Sequence, residues 1–205
     1  MQIEHTGRRP KVDPTAWIAP TATLSGAITI GPGVRILHGA VLTAEGGAKI
    51  EVGTESVIME HAVLRAAGRF SLRLDEQVLV GPHAYLSGCT VAARCFIATG
   101  AMIFNGASLG EACTIALGGK VHIDSELPSG ARVPIGFIAF GRPAKIYSPE
   151  QSLEVREQLD RVSFMRYVFG VNPEGKDRST IMAEAMAKYS RALGAHLTDI
   201  VLSDD

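Results

Sequence analysis

Aliphatic residues recur every six positions along most of the chain, and this period limits the fold more than any other feature. A six-residue period fits neither an α-helix, which repeats about every 3.6 residues, nor an isolated strand, whose side chains alternate. It fits a parallel β-helix in which each coil is a triangle of three short strands. The recurring positions are Ile18, Leu24, Ile30, Ile36, Leu42, Val52, Ile58, Leu64, Leu74, Val80, Leu86, Val91, Ile97, Ile103, Leu109, Ile115, Val121 and Leu127.

A second, usually smaller residue stands four positions after most of these large residues, as at Ala22, Ala40 and Ala62. We expect the large residue to fill the interior of the triangle and the small residue to fit near a corner. One such coil cannot bury its apolar interior alone, so neighbouring coils must stack. The sequence therefore predicts a mainly β protein with about six coils over residues 18–127.

The chain changes character after the repeats. Pro128 and the glycines and prolines that follow it indicate the end of the coils. Ser148-Pro149-Glu150-Gln151 is typical of a helix start, and a second helix is predicted near 179–193. We therefore divide the chain into a β-helix domain (1–147) and a C-terminal helical extension (148–205) with two α-helices.

Each predicted helix carries apolar residues at helical spacing. These are Val155, Leu159, Val162, Met165 and Phe169 in the first helix and Met182, Ala185, Met186, Tyr189 and Leu193 in the second. Such a stripe packs either on the β-helix of the same chain or on a neighbouring subunit, and the sequence leaves both arrangements open.

The charge and hydropathy pattern excludes several classes of partner. The net charge is −1, so no strong field favours nucleic acid or an acidic membrane surface. An apolar run of about 18 residues, the minimum for a membrane-spanning helix, is absent from the sequence. The first residues contain no apolar stretch resembling a signal peptide. We therefore expect a cytoplasmic protein that binds neither nucleic acid nor membrane.

Five segments follow one another in an order that resembles a known family. They are VLTAE (41–45), SVIMEHAVLR (56–65), VLVGPHAYLSGC (78–89), ATGAMIFNGASLG (98–110) and GRPAK (141–145). Together they resemble the gamma-class carbonic anhydrases, and the match covers roughly residues 12–150. The resemblance implies a left-handed β-helix and a homotrimer. It also implies that the family's zinc is bound by three histidines between neighbouring subunits.

The three zinc-binding histidines of the family fall on Arg65, Pro82 and Ser87 in this chain. Arginine is a permanent cation, the proline side chain has no ligand atom, and serine is a poor zinc ligand. We therefore predict no metal, no cofactor and no carbonic anhydrase activity. A metal site relocated to His61 or His83 is an alternative. However, His83 lies one residue from Pro82, and a shift of one residue on a strand turns a side chain to the other face.

Arg65 is the most informative of these replacements because it puts a guanidinium near the expected metal position. It can form an ion pair with Glu60 or Glu45 across the subunit interface, or it can bind the carboxylate or phosphate of a ligand. Met59 makes the neighbouring pocket more apolar, which suits a small organic anion. The candidate ligand site is therefore the inter-subunit cleft around Arg65, with Glu60, Met59 and Ser87 alongside.

Three functions remain open on the sequence, which identifies no catalytic residue. The first is a scaffold or partner-binding homotrimer without carbonic anhydrase activity. The second is a metal-free enzyme or binder of a small organic anion in the inter-subunit cleft. The third is a hexapeptide acyltransferase that uses a coenzyme-A thioester. Such enzymes need a histidine general base and often a long loop that projects from the coils. This function ranks last because the repeats show no long projecting loop.

Overall fold

The computed structural model describes residues 1–202, apart from the side chains of Ser152 and Arg161, and these residues form a parallel β-helix with helices along one side. Residues 203–205 of the predicted helical extension lie outside the described residues. The predicted mainly β architecture and its parallel coils are confirmed.

The strands are short and follow the six-residue repeat. In chain order they are β1 (Gln2–Glu4), β2 (Lys11–Val12), β3 (Trp17–Ile18), β4 (Thr23–Gly26), β5 (Ile28–Ile30), β6 (Arg35–Ile36), β7 (Val41–Glu45), β8 (Ile50–Val52), β9 (Val57–Ile58), β10 (Val63–Ala67), β11 (Leu72–Leu74), β12 (Leu79–Val80), β13 (Tyr85–Ser87), β14 (Thr90–Val91), β15 (Phe96–Ile97), β16 (Met102–Ile103), β17 (Ser108–Leu109), β18 (Thr114–Ile115), β19 (Lys120–Val121), β20 (Glu126–Leu127), β21 (Arg132–Val133), β22 (Ile138–Phe140), β23 (Lys145–Tyr147) and β24 (Ile200–Leu202).

These strands form the three faces of a prism. The helix-covered face contains β1, β4, β7, β10, β13, β16, β19 and β22 in parallel, with β23 and β24 added antiparallel at its two ends. The polar face contains β2, β5, β8, β11, β14, β17 and β20. The groove face contains β3, β6, β9, β12, β15, β18 and β21. Consecutive strands on one face come from consecutive coils, as expected for stacked triangles.

The core is the column of large aliphatic residues that the period predicts. On the helix-covered face, Leu42, Leu64, Leu86 and Ile103 lie in register on successive coils and are fully buried. The small residues near the corners, such as Ala62, are buried as well. Because side chains alternate along each strand, the residues between these positions point outward and form the surfaces of the prism.

The β-helix is longer than the sequence predicted. The six predicted coils lie between β4 and β19, and β1 and β22 add one coil at each end, which gives about eight coils in the described residues. Val12 precedes Ile18 by one period, and Val133 and Ala139 continue the period after Leu127. Pro128 therefore lies at a corner between strands, where a missing N–H is tolerated, and does not end the coils.

The first predicted helix starts where the sequence indicates but is broken once. Residues Pro149–Gln151 form a 3-10 turn, the Oε1 of Gln151 accepts the backbone N–H of Ser148 at 3.0 Å, and α1 (Ser152–Val162) follows. Ser163 has a positive φ of 49° and separates α1 from α2 (Phe164–Phe169). The apolar spacing continues across this residue, so the pattern could not reveal the break.

The second predicted helix is α3 (Arg178–Leu193), which is followed by a 3-10 turn (Gly194–Thr198). Its N-cap is Asp177, whose side chain accepts the N–H of Thr180 at 2.9 Å. Ala185 is buried, but Met182 and Met186 are largely exposed, so only part of the predicted stripe packs.

The chain then returns to its starting point, because β24 pairs antiparallel with β1 at the first coil. The helices therefore pack on the β-helix of their own chain.

The division into two domains at residue 147 stays a prediction. Within residues 1–202, no helix is both long and apolar enough to cross a membrane. The cytoplasmic location stays a prediction as well.

Candidate functional site

Arg65 lies at the centre of β10 and points outward from the helix-covered face, because Leu64 and Ala66 on either side point into the core. Its partner in register on the next coil is Ser87 of β13, and its partner on the previous coil is Thr43 of β7. Two of the three positions aligned with the zinc-binding histidines are therefore direct neighbours in one chain.

The third aligned position, Pro82, lies elsewhere. It follows β12 and lines a groove on the groove face together with Met59 and Gly81. One chain therefore has Arg65 and Ser87 on the helix-covered face and Pro82 on the groove face. A site that used all three positions would need a second copy of the chain.

Arg65 is held in place by residues of its own chain. One Nη2–H donates to Oε2 of Glu45 at 2.7 Å, and both side chains are mostly buried. The guanidinium carbon lies 5.4 Å from the centre of the Tyr189 ring, a cation–π contact provided by α3. Burial alone would lower the pKa of Arg65, but the hydrogen bond and charge of Glu45 outweigh it and raise the pKa above its usual value.

The ion pair decides between the two partners that the sequence left open. Arg65 pairs with Glu45, and the pair forms within one chain. Glu60 instead lies half-buried at the corner after β9, where its backbone carbonyl accepts the N–H of His83 at 3.0 Å. Met59 lies in the groove. The structure thus brings Arg65 and Ser87 together but puts Met59 on another face. The prediction that Arg65, Ser87, Met59 and Glu60 line one ligand site stays a prediction.

The groove next to Pro82 has a volume of about 550 Å³ and crosses the coils of the groove face. Its lining is mainly apolar and includes Leu79, Phe96, Leu117 and Ile135, with Arg132 at one end. Phe96, Leu117 and Ile135 are exposed in the single chain. An exposed apolar surface of this kind is typical of a contact surface or a binding groove.

The histidines near the aligned positions form no three-residue metal cluster among the described residues. His61 and His83 occupy equivalent corners on successive coils, and their exposed rings stack with centres 5.2 Å apart. His122 lies among Phe104 and Phe140 on the helix-covered face, and burial lowers its pKa to about 4. His122 is therefore a neutral, weakly basic side chain.

A different cluster joins the two ends of the described chain. His5, His196 and Asp199 bring their ligand atoms within 4.8 Å of one another. No pattern in the sequence indicates this cluster, because its members are up to 194 residues apart and follow no repeat. Neither the six-residue period nor the family resemblance carries information about the contact between these two segments.

Comparisons with known proteins give consistent results. No family model matches the chain. The mitochondrial gamma carbonic anhydrase 2 of Arabidopsis thaliana is 29% identical over 144 residues, which cover 67% of this chain and 49% of that protein. The chain is a relative of the gamma carbonic anhydrases. The predicted resemblance to this family is thereby confirmed.

A second curated match is the carboxysome assembly protein CcmM of Synechococcus elongatus. It is 30% identical over 175 residues, which cover 80% of this chain and 31% of that protein. Among solved structures, a hexapeptide transferase family protein from Anaplasma phagocytophilum has a TM-score of 0.52 and 28% identity, with coverage of 77% of this chain and 91% of that chain. Its similarity supports the predicted left-handed hexapeptide β-helix. The chain spans half or less of the length of the two curated relatives described here.

Proposed function

We propose that this gamma carbonic anhydrase relative is a homotrimeric scaffold or partner-binding subunit that holds no zinc at the aligned positions and does not hydrate carbon dioxide. The observation that carries the proposal is the ion pair between Arg65 and Glu45 beneath Tyr189. It fixes a cation at one of the three positions where the family has a zinc ligand.

The side chains at the aligned positions do not fit a zinc ion. Zinc sites use cysteine, histidine and carboxylate donors, and a catalytic site keeps one coordination position open. Arg65 has no lone pair to offer and would repel the ion, Pro82 has no donor, and Ser87 is a weak neutral ligand. Glu45 cannot serve in their place without losing its bond to Arg65.

The enzyme activity can be measured directly. We expect the purified protein to hydrate carbon dioxide no faster than buffer in a stopped-flow assay, with and without added Zn²⁺, because a zinc-bound hydroxide needs the missing ligands. The matched variant replaces all three positions by histidine (Arg65→His, Pro82→His, Ser87→His). It should bind about one zinc per chain at the restored histidines but show little activity. Hydration by the unmodified protein well above the buffer rate would refute the proposal.

The trimer is supported by the apolar groove face. Phe96, Leu117 and Ile135 are exposed in the single chain, whereas the outward residues of the polar face include Glu51, Arg73 and Glu126. Packing of the groove faces around a threefold axis would remove this apolar surface from water.

Light scattering tests the trimer. We expect a particle of three 21.7 kDa chains at micromolar concentration. Phe96→Glu should dissociate it, because the new carboxylate would be buried in an apolar contact without a partner. Thr90→Glu, at an exposed outward position of the polar face, is the control and should leave the trimer intact. A stable monomer of the unmodified protein contradicts the proposal, and a trimer that survives Phe96→Glu contradicts this choice of interface.

The other two functions are less well supported. Binding of a small organic anion by Arg65 would require the anion to displace Glu45, because the guanidinium is already paired. For an acyltransferase, His122 is a poor general base, since its pKa is about 4 and its Nδ1 accepts the backbone N–H of Ile123 at 2.8 Å.

A further inference from the structure

His5, His196 and Asp199 form a compact polar cluster where the end of the described chain meets its beginning. His5 directly follows β1 and has a side chain that is only 3% exposed, whereas His196 and Asp199 lie in and after the 3-10 turn that precedes β24. The Nδ1 of His5 lies 2.6 Å from Oδ1 of Asp199, and the Nδ1 of His196 lies 2.8 Å from Oδ2. The two imidazole rings lie with their centres 4.4 Å apart and their planes tilted by 31°.

We propose that this cluster is a structural binding site for one divalent transition-metal ion, with zinc as the best fit. The ligands are Nδ1 of His5, Nδ1 of His196 and the carboxylate of Asp199. The ligand atoms of the three residues lie within 4.8 Å of one another. Two imidazole nitrogens and one carboxylate are a donor set that zinc accepts in a tetrahedral site, with water as the fourth ligand.

The neighbouring charges favour a divalent cation. Asp199 and Glu45 are two carboxylates, and among the residues that the structure describes the one cation that pairs with them besides the histidines is Arg65, through Oε2 of Glu45. Asp199 contacts both histidines, so its carboxylate can join the two imidazole nitrogens in binding one ion.

Glu45 occupies the position of a supporting residue. Its Oε1 lies 3.7 Å from Nε2 of His196, the ring nitrogen that faces away from Asp199. A histidine that binds a metal through one nitrogen commonly donates the N–H of the other nitrogen to a carboxylate, which fixes the required tautomer. Binding of the ion would displace the Nδ1 proton that His196 donates to Asp199 and would leave the ring proton on Nε2, facing Glu45.

A bound ion would hold β24 against β1 at one end of the β-helix. The strand β24 covers β1, and Ile3 lies opposite Val201 in this antiparallel pair. An uncovered edge strand offers unpaired backbone groups to other chains, so a bound ion that holds β24 in place would protect this edge. An ion that binds only the folded state also stabilises it by mass action. The proposal replaces the sequence-based prediction of no metal for the chain as a whole, but it leaves that prediction unchanged at Arg65, Pro82 and Ser87.

The test uses the full-length protein after removal of metals by a chelator. We expect Zn²⁺ to bind with one ion per chain in a calorimetric titration and to raise the melting temperature. Co²⁺ should give the intense visible absorption of a four-coordinate site. His196→Gln is the test variant because His196 is partly exposed and tolerates replacement better than buried His5. It should weaken zinc binding at least tenfold and abolish the cobalt spectrum.

The matched control is the double variant His61→Gln and His83→Gln, which removes two exposed histidines outside the cluster. It should bind zinc as the unmodified protein does. Failure of the unmodified protein to bind zinc, or equal binding by His196→Gln and the unmodified protein, would overturn the proposal. Loss of the site in the control variant would do so too. Carbon dioxide hydration is not a readout here, so this result is independent of the proposed lack of enzyme activity.

Discussion

Leu86→Ala is expected to destabilise the β-helix by about 3–5 kcal/mol, at the upper end of the range for a leucine removed from a core. Leu86 is fully buried and stacks between Leu64 and Ile103 on the neighbouring coils. The substitution leaves a cavity in the core. The stacked coils on either side hold the surrounding side chains in place, so the cavity has few ways to collapse. Calorimetry should show a fall in melting temperature of roughly 6–20 °C for a chain of this size.

Leu153→Ala is the control, because it makes the same chemical change at a side chain that is 74% exposed on α1. Its effect should stay below about 0.5 kcal/mol. Equal effects of the two substitutions would show that the interior position of Leu86 is wrong, and with it the assignment of the six-residue period to the core.

The period determines the core so well because it reports directly on which side chains point inward. The spacing alone predicts that Leu64 and Leu86 point into the interior, and both are buried. The same pattern predicts an end of the coils at Pro128, which is too early. A proline at a corner interrupts no ladder hydrogen bond, so the period resumes at Val133.

The candidate site was predictable only in part. The alignment made Arg65 and Ser87 neighbours, and their pairing in register follows from the length of the intervening coil. Tyr189 could not be assigned to the same surface, because its contact depends on the path of the chain after the β-helix. The same limit applies to His5 and His196, whose contact arises only when β24 returns to β1.

Arg65→Ala separates a structural role of this residue from a ligand-binding role. We expect a loss of about 2–3 kcal/mol, because the substitution leaves the mostly buried carboxylate of Glu45 without its charged partner and removes the contact with Tyr189. The melting temperature of the metal-free protein should fall by roughly 4–12 °C. Arg73→Ala is the control, because Arg73 forms an ion pair of the same length with Asp75 but is 62% exposed. Arg73→Ala should lower the melting temperature much less than Arg65→Ala, because water screens an exposed ion pair.

A double-mutant cycle with Glu45→Gln isolates the pair itself. If Arg65 acts mainly through Glu45, the double variant should be less destabilised than the sum of the two single variants by about 1–2 kcal/mol. The cycle is measured without metal, since Glu45 also faces His196. An Arg65→Ala protein as stable as the unmodified one would contradict the structural role of Arg65. That result would mean that the guanidinium of the unmodified protein is available to bind an anion. The proposal of a scaffold without a ligand at this position would then lose its main support.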